Sequence, residues 1–142
     1  MAAWDEAETA IRALLAGAGL STPILFENEA LSPPVNGEGR PQPWLYVEIQ
    51  WTGGEPVSIG APGSNRQRRT GLVWLHAFSP VGVGGALASQ IAAQAASILE
   101  CQETDGVVFL TAEPGGDASA AGDKGSYFGR SCAVPFHFDE TA

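Results

Sequence analysis

The chain has 142 residues, a formal net charge of −9, 44% hydrophobic residues and 16% charged residues. That length is one domain's worth and buries enough surface to fold without disulfide staples. The acidic excess argues against stable binding to a phosphate backbone, and it would suit a surface that DNA must pass without sticking.

The charge fraction falls below the ~25% of an ordinary soluble domain, as expected of a surface partly covered by other chains, although 18 Gly and 10 Pro also occupy loop positions. Cys101 and Cys132 are too few for a disulfide framework and read as reduced, small apolar side chains. Met1 to Glu6 has no basic stretch and no long apolar run, so it does not read as a signal peptide. No segment reaches the ~18 uninterrupted apolar residues of a membrane span. The expected location is the cytosol, or a particle assembled there.

Residues 4–18 read as a helix, with Trp4, Ile11, Leu14, Leu15 and Ala18 on one stripe and Asp5 and Glu6 at its dipole-favoured start. Gly17 and Gly19 stop it. Ile24-Leu25-Phe26 is a short strand. Residues 28–43 follow, with Pro33, Pro34, Pro41 and Pro43, too rich in proline for a helix or a central strand. Long loops of this kind are usually functional or cover a partner.

Trp44 to Trp51 is the clearest strand. Leu45, Val47, Ile49 and Trp51 share one face, and Trp44, Tyr46, Glu48 and Gln50 the other. Thr70 to Phe78 is its antiparallel partner, with Leu72, Trp74, His76 and Phe78 alternating with Val73, Leu75 and Ala77. Both faces carry aromatics, so one is expected to meet the chain's own helices and the other a neighbouring chain. Residues 52–69 make a long hairpin with a flexible, glycine-rich, basic tip, in which Val57-Ser58-Ile59 extends the first strand.

Residues 86–100 form the second helix, with Leu87, Ile91, Ala95, Ile98 and Leu99 as its stripe. Val107 to Ala112 is a fourth strand, Glu113 to Gly125 a loop, and Ser126 to Phe138 the last strand. Pro135 places that strand at an edge or a bulge, because proline lacks a ladder N–H, and residues 139–142 are expected to fray. The order predicts a single α+β domain over 1–142: one mainly antiparallel four- to five-stranded sheet with two helices packed on one face.

Catalytic patterns are absent. No G-x-S-x-G elbow occurs, and neither cysteine stands out as a nucleophile, since Cys132 falls on the apolar face of its strand and Cys101 follows a helix. His76 reads as a packed or interface histidine. His137 beside Asp139 and Glu140 has the residue types of a metal site but lacks a second cluster. Gly82 to Gly85 before a helix is a weak anion-site pattern that equally serves as a turn. No cofactor, metal or catalytic residue is expected. Arg66, Arg68 and Arg69 concentrate three of the seven basic residues. They read as a solvated loop tip, as a contact with an acidic neighbouring surface, because the planar guanidinium fork matches carboxylates, or as a direct contact with DNA.

The run Pro43-Trp44-Leu45-Tyr46-Val47, then Ile59-Gly60 and an arginine loop, then Thr70-Gly71-Leu72-Val73 leading to Phe78-Ser79-Pro80-Val81-Gly82-Val83-Gly84, and finally Val134-Pro135-Phe136-His137-Phe138, resembles the tail-terminator proteins of long-tailed phages, prophages and gene transfer agents. The resemblance covers most of the chain in element order. It implies a non-enzymatic virion subunit that forms a hexameric ring. Such a ring caps the tail tube, receives the head-completion (connector) proteins and lets DNA through its hole. It also implies that ring and tube contacts fall on residues 52–69 and 28–43, with Arg66, Arg68, Arg69, Trp44, Tyr46 and Trp74 as the contact residues. On this basis Arg68→Glu with Arg69→Glu is expected to spare the monomer and weaken assembly. The alternatives are another connector of the same particle, such as a head–tail joining protein or tail-tube subunit, and a small anion-binding module at Gly82 to Gly85.

Overall fold

The computed structural model describes residues 4–20, 22–27, 38–39, 42–56, 66–80, 86–117 and 127–141. In chain order they form α1 (Trp4–Ala16), β1 (Ile24–Phe26), β2 (Trp44–Pro56), β3 (Arg66–Pro80), α2 (Ala86–Leu99), β4 (Glu103–Thr104), β5 (Val107–Phe109), β6 (Glu113–Asp117) and β7 (Tyr127–Thr141). The strands build one seven-stranded sheet in the order β1-β2-β3-β7-β5-β4, and β6 also pairs with β7. Val57 to Ile59, Gly60, Gly82 to Gly85 and most of residues 28–43 lie outside the described residues.

The sheet exceeds the four or five strands expected from the sequence, because two short elements are too small or too glycine-rich to show a period. One is β4, joined to β5 by Asp105-Gly106. Both turn residues have positive φ, 49° and 84°, the requirement of a two-residue hairpin whose twist matches its strands. The other is β6, Glu113 to Asp117, where a loop was expected. It lies against β7 with Glu113 opposite Ala133 and Pro114 opposite Cys132. A Cβ on Gly115 would come within 3.0 Å of the Ser131 carbonyl oxygen, so the bare backbone allows this close approach.

Pro135 is not at an edge. β7 is central, between β3 on one side and β5 and β6 on the other. The Pro135 carbonyl accepts Leu110 N–H at 2.8 Å, so its nitrogen faces the same outer side. There β5, paired through Phe136 and His137, gives way to β6, paired from Ala133. The missing N–H thus falls where the neighbouring strand changes, and no ladder bond is lost. Residues 139–141 do not fray either: Asp139 pairs with Arg68, Glu140 with Gln67 and Thr141 with Arg66 along β3.

The core lies between one sheet face and both helices. Ala7, Ile11 and Leu15 of α1 and Ala88, Ile91, Ala92, Ala95, Ala96 and Leu99 of α2 pack on Leu45, Val47, Ile49, Val73, Leu75, Val134, Phe136 and Phe138. Each large apolar side chain buried here contributes about 1.5–3 kcal/mol. The small residues of α2 let it lie close on β3 and β7. Trp4, expected on the buried stripe of α1, is instead 51% exposed. It rests beside Trp51 and under the Arg69 guanidinium, which sits 5.2 Å from its ring.

Cys132 belongs to this core. Its thiol faces the Ala92 carbonyl at 3.8 Å, and it lines a groove of about 400 Å³ between α2 and β6. Burial first, and then the charge of Glu100, push its pKa up to about 11. The thiolate is the reactive form. A disulfide-exchange reagent at pH 8 is therefore expected to titrate one thiol in the native chain, the exposed Cys101, and two after denaturation. Rapid native reaction of both would show that Cys132 is not enclosed.

Candidate functional site

Period-two alternation sends Trp44, Tyr46, Glu48 and Gln50 of β2 to the second face of the sheet, with Leu72, Trp74, His76 and Phe78 of β3 beside them. Ser131, Ala133, Pro135, His137 and Asp139 of β7 continue that face. Both helices pack on the opposite face, and among the described residues no helix covers this one.

Tyr46, His76 and Ser131 sit directly across from one another on β2, β3 and β7. His76 Nε2 donates to Glu48 Oε1 at 3.0 Å, which leaves Nδ1 to accept from the Ser131 hydroxyl at 2.8 Å. The imidazole lies parallel to the Trp74 ring, 1° and 5.9 Å away, and stacks with Tyr46 at 6.0 Å. Trp74 Nε1 donates to Gln50 Oε1 at 2.7 Å. The result is a flat row of rings held in place by hydrogen bonds. Burial, and after it the charges of Glu27 and Glu48, raise the Tyr46 phenol above its ordinary pKa. A hydroxyl–imidazole–carboxylate row has the parts of an activated nucleophile, but that chemistry needs an oxygen that substrate can reach. Ser131 is 7% exposed, so the row braces three strands.

Trp44 does not join this surface. It is fully buried and stacks on Phe78 at 4.5 Å, so the expectation of an exposed anchor there is corrected. Tyr46 and Trp74 are half-buried. The arginines stand on β3 rather than in a flexible loop. Arg68 Nε reaches Asp139 Oδ1 at 2.8 Å and Arg66 contacts the same carboxylate, on the second face. Arg69 points to the helix face, donates to Glu140 Oε1 at 2.7 Å and covers Trp4. The three therefore divide between two faces, and reversing Arg68 and Arg69 would also repel the chain's own β7. The same geometry separates His137, Asp139 and Glu140. Asp139 is taken by guanidinium groups and Glu140 lies on the other face, so they do not converge on a metal. Among the described residues no group of three or more His, Cys, Asp or Glu is placed to hold one.

Hydrogen bonds from Arg68 hold the Asp139 carboxyl below its ordinary pKa. A depressed carboxylate stabilises the fold above its unfolded pKa and loses that contribution as the pH falls through about 4 and below. The urea midpoint of the wild-type chain is expected to drop more steeply over that window than the midpoint of Asp139→Asn. Parallel curves would mean that the pair contributes nothing to β3–β7 pairing.

Sequence reasoning found His76, Tyr46 and Trp74 but not Ser131, whose place opposite His76 depends on the β3–β7 register. It also missed Glu27, which leaves the end of β1 to accept Ile49 N–H at 2.6 Å.

No family model matches the chain, and no curated protein matches it. Among solved structures 14 chains match. One of them, whose name describes no function, superposes with a TM-score of 0.63 and 14% identity over 97% of this chain and 96% of its own. At that identity the likeness shows the fold alone. Among the described residues no helix is long and apolar enough to cross a membrane.

Proposed function

We propose that the chain is a structural tail-terminator subunit of a phage or phage-like particle. In this reading copies close into a ring, six in the manner of the family it resembles. The ring caps the tail tube and joins it to the head-completion proteins, and DNA passes through the hole. Assembly takes place in the host cytoplasm, and the product is part of the tail.

The observation that carries the reading is the second sheet face. A lone domain gains little from fixing three aromatic and imidazole rings on a surface that the described helices do not cover, whereas half-buried Tyr and Trp are the usual anchors of subunit contacts. Element order agrees with the resemblance stated above, and a net charge of −9 disfavours adhesion of passing DNA.

The test is the assembly mass in solution together with an image of the intact particle. A closed ring at the tail–head junction is the expected result. A position along the tail shaft would instead make the chain a tube subunit. A chain that is solitary at every concentration and absent from tail-like particles would exclude the reading.

A further inference from the structure

We draw no further inference here: the strongest candidate, the groove of about 400 Å³ between α2 and β6 with Cys132 in its lining, is bounded on the helix side by small residues, has its Glu100 carboxylate already accepting the Ala112 N–H, and carries nothing because nothing in the structure shows what covers it.

Discussion

Phe136→Ala is expected to lower the unfolding free energy by about 3–5 kcal/mol, the range for removing a buried aromatic ring. Phe136 is 1% exposed and stands on the central strand β7, which pairs with β3 on one side and with β5 on the other. Its ring meets Trp51 edge-on at 5.3 Å and Phe109 at 6.2 Å. Those contacts tie the β2–β3 hairpin to the β5 side of the sheet. Against a typical total of about 5–15 kcal/mol, that is a large share of the stability. Urea denaturation followed by tryptophan fluorescence reads the effect directly, since Trp51 touches the deleted ring. A midpoint shift worth less than about 1 kcal/mol would show that the ring is not part of a close-packed core.

Gly71→Ala is expected to cost about 2–3 kcal/mol by the opposite route, overpacking. Gly71 lies on the core face of β3 directly across from Phe136. A Cβ there would fall 2.7 Å from the Phe136 ring and 2.7 Å from the Gln50 carbonyl oxygen. The ring can tilt but the backbone oxygen belongs to the β2 ladder, so relief requires the strands to part. The two sites share one cavity and should not add. Gly71→Ala combined with Phe136→Leu is expected to be more stable than the sum of the single losses predicts, and simple additivity in that double-mutant cycle would remove the proposed contact. Both variants leave the second face untouched, so any change they cause in assembly follows from folding.

Much of this architecture is legible in alternation. The two faces of β2 and β3 follow from which side chains water rejects, and the helices follow from a 3.6-residue period. Pro135 shows the limit. A proline in a strand argues for an edge when its own strand is all that is known, yet a central strand can hold one where its outer partner changes. The arginines show another limit. Their spacing marked a basic cluster, but on an extended strand neighbouring residues point to opposite faces, so Arg69 parts from Arg66 and Arg68. Ser131 carried no signal at all, because nothing local says which residue of β7 will lie opposite His76.

The amino-acid order alone determined the existence and approximate bounds of the helices and long strands, the acidic balance and the two-sided apolar character of the central hairpin, since each depends on near neighbours and their solvation. Register, the seven-strand count and the pairing of the arginines with Asp139 and Glu140 were decided only by the tertiary structure, and Trp44 was buried when β2 met β3 and set it on Phe78. Those facts depend on pairings between residues as far apart as Arg68 and Asp139, and long-range pairing is set by how the whole core packs.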